Sequence, residues 1–408
     1  MNKIEKLLQT LAPNGVGFRK LGEVVNILKG KQLNKELLLD CGEYSVMNGG
    51  IYASGYWNEY NTDYPKIIIS QGGASAGYVN YMTSKFWAGA HCYTIELKSE
   101  KLNYKFLYYF LKNSQTILMK SQFGAGIPAL NKADIENLTI PIPPLEIQQE
   151  IVKILDAFTE LNTELNTELK ARKKQYEYYR NMLLDFNDIN QSHKDAKEKL
   201  AHKTYPKRLK ALLQTLVPNG VGFRKLGEVL EYDQPNQYCV TSKEFDKSYP
   251  TPVLTAGKTF ILGYTNEKDN IYQASKSSPV IIFDDFTTAI QWVDFPFKVK
   301  SSAMKILLPK DPTINIRFIF FYMQTIPYNI GGEHARQWIS RYSQIKIPIP
   351  HLEIQQEIVK ILDQFLALTT DLQSGIPAEI KARKKQYEYY REKLLAFKPL
   401  NPQKEVKK

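Results

Sequence analysis

A few short stretches carry residues that enzymes commonly use. Ala256-Gly-Lys-Thr259 ends like a phosphate-binding loop, where backbone N–H groups and a lysine cradle phosphates. That motif needs a glycine five residues before its last glycine, and Pro252 stands there, so a nucleotide site is not expected. Gln71–Val79 (QGGASAGYV) is glycine-rich between two expected strands, but a dinucleotide site needs a helix directly after the loop. A tight turn is the simpler reading, with Ser75 and backbone amides able to approach phosphates. His91-Cys92 has no partner at ligand spacing and reads as packing within a strand. Asp284-Asp285 follows an expected strand, as acids of metal-dependent nucleases do. No acid–x–lysine follows, so a turn or a base contact is expected. Pro143-Pro144 stands between Ile142 and Leu145, so the Asp/Asn-Pro-Pro-aromatic motif of amino-group methylation is missing. No catalytic residues and no metal ligands are assigned.

Recognition chemistry is left. Lys29, Lys31, Gln32, Gln71, Ser75, Gln122, Lys258, Thr287, Thr288, His334, Arg336, Gln337 and Arg341 lie in polar loops. Such side chains hydrogen-bond base edges or hold phosphates, so they are the candidate DNA contacts. Polar loops are exposed in any protein, so the chemistry alone singles out none of them. The net charge of +12 favours a polyanionic partner.

These loops must be held by larger elements, and the chain is a tandem duplication. LLQTLAPNGVGFRKLGEV at Leu7–Val24 returns at Leu212–Val229 with one change, Ala12 against Val217. LEIQQEIVKILD opens both Leu145–Asp156 and Leu352–Asp363, and KARKKQYEYYR recurs at Lys170–Arg180 and Lys381–Arg391. Between these words, Ile147, Ile151, Ile154, Phe158, Leu161 and Leu165 alternate four and three apart, the seam of a coiled coil. A further step of four to Leu169 is a stutter, after which Arg172, Tyr176, Tyr179 and Leu183 continue the stripe. The second copy runs Ile354, Ile358, Ile361, Phe365, Leu368 and Leu372. Ser374-Gly-Ile-Pro377 should break it before Ile380, Arg383, Tyr387, Tyr390 and Leu394. Each seam needs a partner, and the other repeat is the natural one.

The globular parts share order but little sequence. Strands are expected at Tyr64–Ser70 and Ala88–Leu97, a helix at Asn103–Ser121, and an extended Ile140–Pro144 leading into the helix. The second part offers strands Pro279–Phe283 and Ala303–Leu308, a helix Ile316–Thr325 and the entry Ile347–Pro350. The boundaries are 1–144 and 212–351 for the globular domains, 145–186 and 352–398 for the long helices. A polar linker spans 187–211, and a disordered tail spans 399–408, beginning near Lys398. Tyr176, Tyr178, Tyr179 and Arg180, with Tyr387, Tyr389, Tyr390 and Arg391, put tyrosine on two faces of each helix. One seam does not need that, so they are candidate partner-interface residues.

Cys41, Cys92 and Cys239 are too few for a disulfide framework, which suits a reducing cytoplasm. Met1–Gln9 lacks the apolar run of a secretory signal, and runs such as Phe318–Met323 are too short to cross a bilayer.

Taken together, the duplicated helices, the IPIP entries and the repeated PNGVGFRKLGE resemble the specificity subunits of type I restriction-modification enzymes, over essentially the whole chain. The resemblance implies an α+β fold. Two α/β-type target recognition domains would be separated by two long antiparallel helices, in a pseudo-twofold repeat. Each domain would read one half of a split double-stranded DNA target. The helices would set the gap and dock two methyltransferase subunits, with two restriction subunits in the full complex. S-adenosylmethionine, ATP and Mg²⁺ would belong to those partners and no cofactor to this chain. The recognition domains vary by design, so no individual base-reading residue carries over. Two other classes are a stand-alone DNA-binding regulator and a single-chain Mg²⁺-dependent nuclease.

Overall fold

The computed structural model describes residues 3–124, 128–186, 204–255, 259–327, 336–371 and 373–400. The first repeat forms α1 (Lys3–Leu11), β1 (Gly17–Lys20), α2 (Leu21–Val24), β2 (Val25–Lys29), β3 (Tyr44–Met47), β4 (Gly55–Trp57), β5 (Lys66–Ser70) and β6 (Val79–Met82). Then come β7 (Phe86–Ala88), β8 (Cys92–Leu97), α3 (Tyr104–Asn113), α4 (Gln115–Lys120), α5 (Lys132–Glu136), β9 (Thr139–Ile142) and the long helix α6 (Leu145–Leu184). The second repeat forms α7 (Lys207–Leu216), β10 (Phe223–Lys225), α8 (Leu226–Val229), β11 (Leu230–Asp233), β12 (Thr251–Leu254), β13 (Ile261–Thr265), β14 (Val280–Asp284) and β15 (Ile290–Val293). It closes with β16 (Lys298–Val299), β17 (Met304–Pro309), α9 (Ile316–Met323), α10 (Gln337–Ser340), β18 (Lys346–Pro348), α11 (Leu352–Thr370) and α12 (Ile376–Leu395).

Dissimilar sequences give one topology. The first repeat has sheets β2-β8-β5-β6, β4-β3-β7 and β1-β9, and the second has β11-β17-β14-β15, β13-β12-β16 and β10-β18. The four-stranded sheets are antiparallel, while β3 with β7 and β12 with β16 run parallel. This is the α+β architecture. Strands β5 and β14 are continuously apolar because both faces are covered. Ile67 and Ile69 enter the core that α3 fills with Phe106 and Leu107, while Ile68 enters a smaller cluster with Met47 and Phe86. Ile281 and Phe283 in β14 do the same against α9, and Val280 and Ile282 face the other way. Asn103 and Asn315 cap α3 and α9, each accepting from the two backbone N–H groups that open the helix.

The chain divides into two compact units that do not follow its order. One is Met1–Thr167 with Glu379–Lys408, and the other is Glu168–Ala378. Each unit combines a globular part, the first half of the helix that follows it, and the end of the helix from the other repeat. In the first unit Ile147, Ile151 and Leu155 join one core with Leu395. In the second, Ile354, Ile358 and Leu362 join one with Leu183 and Leu184.

The structure corrects several expectations. Leu155 and Leu362 lie off the expected seam yet are wholly buried, because the helix starts pack on a globular core and present an i, i+4 stripe to it. Leu368 is 38% exposed while its neighbour Thr369 is 2% exposed, so the second seam drifts by one position just before the break. That break is where it was expected, between α11 ending at Thr370 and α12 starting at Ile376, with Pro377 in the tolerant first turn. Leu372 lies outside the described residues. The expected helix Asn103–Ser121 is two helices, interrupted at buried Ser114. The expected strand Ala88–Leu97 is split by a turn, so exposed His91 sits in a turn and not in a strand. The tail is ordered at its start, since Val16 N–H donates to Lys398 O (2.9 Å) and Leu400 N–H to Val16 O (3.1 Å). Most of the linker, from residue 187 to residue 203, lies outside the described residues, and α7 begins within its remaining part. Among the described residues no helix is long and apolar enough to cross a membrane.

Candidate nucleic-acid interface

Each unit has a helix end and a loop end. At the helix end of the first, Gln148 is wholly buried on α6. Its Oε1 accepts from Asn103 N–H (2.7 Å), and its Nε2 donates to Lys101 O (2.8 Å) and Pro143 O (2.6 Å). Gln355 repeats this with Asn315 N–H (2.8 Å), Thr313 O (3.0 Å) and Pro350 O (2.8 Å). Beside them Lys105 pairs with Asp156, and Arg317 with Asp363, both at 2.7 Å. These polar pins fix the helix to the globular domain before it. Hydrophobic periodicity did not reveal them, because a polar side chain beside the seam reads as surface.

At the loop end of the first unit, strands β2, β3, β5 and β7 finish and β8 starts. Their turns are sewn together by backbone bonds. Gly30 N–H donates to Cys92 O (2.9 Å), Lys31 N–H to Ala88 O (2.8 Å), Gly89 N–H to Met47 O (2.8 Å), Gln71 N–H to His91 O (2.9 Å) and Gly73 N–H to Pro128 O (2.8 Å). This layer gathers the sequence candidates of the first repeat. Lys29, Lys31 and Gln32 are exposed on it. Ser75 and Gln122 turn inward, Oγ donating to Gly49 O (2.8 Å) and Nε2 to Ala76 O (2.6 Å). Gln71 is half-buried, its Oε1 without a hydrogen-bond partner among the described residues. These last three shape the loops.

In the second unit the loop end is anchored by buried charge. Lys305 on β17 pairs with Asp285 (3.6 Å), contacts Gln234 Oε1, and faces the Tyr232 ring at 4.6 Å. Asp285 also accepts Trp338 N–H at Oδ1 (2.8 Å), which holds α10 on the end of β14. Burial pushes the Lys305 pKa below its usual value, partly countered by Asp285. Asp284 makes the expected turn, accepting Phe286 N–H (2.9 Å), Thr287 N–H (3.2 Å) and the Thr287 hydroxyl. Thr288 has positive φ (59°) in that turn. Arg336 and Arg341 are exposed at either end of α10, and Gln337 between them is buried. Lys258 and His334 lie outside the described residues, as do Ala256 and Gly257 of the phosphate-loop-like stretch. A second buried cation, Lys298, bonds Glu267 (2.7 Å) and Asp269 O (2.9 Å). Burial alone would raise the Glu267 pKa. The Lys298 bond and those from Thr241 and Ser242 outweigh it and lower it from 4.5 to about 2. Among the described residues no group of three or more His, Cys, Asp or Glu could hold a metal.

The helix-end tyrosines divide by face. Tyr179 stacks on Phe365 (5.2 Å), and Tyr176 donates to Gln324 Oε1 (3.4 Å), with Arg180 over its ring. Tyr390 stacks on Phe158, and Arg391 lies over Tyr387 and donates to Asn113 Oδ1 (3.1 Å). Tyr178 and Tyr389 meet Tyr179 and Tyr390 edge-on (5.6 and 5.4 Å) and are 60% and 58% exposed.

Two domains of one topology, each pinned to a long helix and each ending in an anchored loop layer, define a duplicated recognition subunit. The family model described as "Type I restriction modification DNA specificity domain" matches residues 13–174 and 218–382. The chain belongs to this family, whose members are the non-catalytic sequence-recognition subunits of type I restriction-modification systems. It is 56% identical over 182 residues to the EcoR124I/EcoR124II specificity subunit of Escherichia coli, an alignment covering 42% of this chain and 44% of that one. A putative type I restriction enzyme specificity subunit of Haemophilus influenzae is 32% identical over 97% of this chain and 98% of its own. The fold is similar to that of the type I S subunit of M. genitalium, with TM-score 0.61, 22% identity, and 93% and 96% of the two chains covered.

Proposed function

We propose that each unit reads one half of a bipartite double-stranded DNA target through its loop end. The observation that carries this is the pairing of one topology with two unlike loop layers, both built on the same polar pins. A constant frame with divergent loops suits two readers of different sequences. Family membership favours this over a stand-alone regulator or a single-chain nuclease. Exposed Lys29, Lys31, Gln32, Arg336 and Arg341 are the proposed DNA contacts, with Thr287 and Thr288 in the turn after β14, and Lys258 and His334, outside the described residues, complete the candidates. Gln71, Ser75, Gln122 and Gln337 shape the loops that carry them.

The same reading has the helices set the gap and dock two methyltransferase subunits, joined in the full complex by two restriction subunits. Outward Tyr178 and Tyr389, with Arg180 and Arg391, are the proposed docking residues. Half-buried Tyr176, Tyr179 and Tyr387, with Tyr390 stacked on Phe158, support the helix beneath them. S-adenosylmethionine, ATP and Mg²⁺ are assigned to the partners, and the complex to the cytoplasm. The test exchanges the region from Val24 to Ile140 for that of a relative, in the complex with methyltransferase subunits. Mapping the methylated motif should show one half changed and the other kept. A change in both halves would refute independent readers.

A further inference from the structure

Beyond charge and hydrogen bonding, the loop end of the first unit carries an apolar feature. The turn after β3, residues 48–54, lifts Ile51 and Tyr52 into solvent. Tyr52 is 83% exposed, the most exposed large apolar side chain among the described residues, and Ile51 is 41% exposed. Single exposed apolar residues are ordinary on protein surfaces. This pair is unusual in the rigidity of its support. Gly49 O accepts from the buried Ser70 hydroxyl and from Ser75 Oγ (2.8 Å). Ile51 O accepts from Asn80 Nδ2 (3.1 Å), and Asn48 Oδ1 accepts from His91 N–H (3.1 Å). Gly49 has φ of +85°, and a Cβ there would sit 3.0 Å from His91, so the turn also needs glycine.

Tyr60, another exposed tyrosine of this unit, is occupied. Tyr60 packs on Tyr44 (5.1 Å) and has the Lys85 ammonium over its ring (4.0 Å). The Tyr52 ring and hydroxyl have no such contact among the described residues. A pinned turn has already lost its conformational freedom, so a protruding aromatic on it can bind with little further ordering. The turn belongs to the same sewn layer as Lys29 and Lys31: Asn48 accepts from His91, whose carbonyl takes Gln71 N–H, and Gly89 bonds Met47 beside it. Cations hold phosphates, and an apolar tip on the same layer can lie against a base or open a base step.

We propose that Tyr52, backed by Ile51, is an apolar reader of the first half-site, its ring lying against a base. This rests on the reading of the first unit as a half-site reader and adds a contact that hydrogen-bond chemistry does not supply.

The test uses the full chain in complex with methyltransferase subunits. The wild-type motif is first mapped by genome methylation. Binding of a fluorescent duplex carrying that motif is then measured by anisotropy between 50 and 200 mM salt (about the range in which phosphate contacts show their salt dependence). Tyr52→Ala should bind about 10- to 100-fold more weakly, the scale of a lost base–aromatic stack. It should relax the methylated motif in the first half only. Its salt slope should match wild type, because an uncharged contact releases no counterions. Tyr52→Phe should behave as wild type, while Lys29→Ala should flatten the slope. Substitution at so exposed a position leaves the fold intact, and thermal unfolding checks this. Unchanged affinity and motif in Tyr52→Ala would overturn the proposal. So would weaker assembly with the methyltransferase subunits and an intact motif, which would make Tyr52 a protein contact. A wild-type complex without a bipartite motif would instead remove the underlying reading, and the proposal with it.

Discussion

Phe158 stacks on Tyr390 in the first unit, with ring centroids 5.5 Å apart and planes 27° from parallel. Phe365 and Tyr179 repeat this contact in the second unit at 5.2 Å and 24°. Each pair joins the first half of one long helix to the end of the other. A double-mutant cycle of Phe158→Ala and Tyr390→Ala should show coupling of about 0.5–1.5 kcal/mol, the usual worth of such a pair beyond area burial. Urea unfolding of the four proteins measures it. Additive losses would mean that the rings only fill space.

The buried glutamines should matter more than their polarity suggests. Gln148→Leu leaves Asn103 N–H, Lys101 O and Pro143 O without this partner. An unsatisfied buried donor or acceptor costs about 1–3 kcal/mol, so the loss should be at least about 2 kcal/mol. Gln355→Leu should act likewise on the second unit. Thermal unfolding of both single variants and the double variant should give nearly additive losses, since the sites share no residue.

Acid should loosen the second unit through Glu267. Its folded pKa, about 2, lies below the ordinary 4.5. A depressed carboxylate adds stability above its unfolded pKa and loses that contribution as pH falls toward the folded value. The loss should therefore run from about pH 4.5 down to about pH 2. Glu267→Gln should remove this part of the acid dependence. It should also cost about 3–5 kcal/mol at neutral pH, because Lys298 keeps a buried charge without its partner. Urea midpoints across pH, followed by hydrogen exchange in β13, provide the check. An unaltered acid branch in the variant would rule out this pair as its source.

The spacing prediction has a definite address. LNTELNTEL occupies Leu161–Leu169, and the division between the compact units falls within it, after Thr167. Thr159, Asn162, Thr163, Asn166 and Thr167 each donate to the carbonyl four residues back, within the helix itself. One added LNTE unit keeps the apolar stripe nearly in register and lengthens the helix by about 6 Å. It overshoots a helical turn by about 40°. DNA rises about 3.4 Å and turns roughly 34–36° per base pair. The gap in the methylated motif should grow by one or two base pairs, as about 6 Å and 40° allow, with both halves unchanged. Inserting two or three residues should instead impair assembly. A constant gap in the methylation map would show that this helix does not set the spacing.

The frame was readable because it is repeated and periodic. The long helices, the break just before Ile376-Pro377, and strands β5, β8, β14 and β17 follow from apolar spacing and proline geometry. Leu155 falls outside the heptad seam because such a seam assumes a helix as the partner, whereas α6 begins against a sheet-and-helix core. His91 reads as strand because the stretch Ala88–Leu97 is rich in β-branched and aromatic residues, whereas the turn depends on Gly89 approaching Asn48. Gln148, Gln355, Lys298 and Lys305 escaped notice for a shared reason. Their partners are carbonyls or acids distant in sequence, and local pattern carries no trace of them. The candidate loops were legible as polar, but which side chains turn inward was decided by bonds such as Ser75 to Gly49 O.

The division of the chain into units also has a consequence for how the protein is made. The first unit is built from an early and a late part of the polypeptide, with the whole second unit between them. On the ribosome, Ile147, Ile151 and Leu155 emerge long before Leu395, which joins their core. At about 5–20 residues per second, synthesis of the intervening stretch takes roughly 10–40 s. During that delay Ile147, Ile151 and Leu155 rest on the early part of their core, Leu21, Phe106 and Leu107 among it, and the unit that began first is closed only when Leu395 arrives.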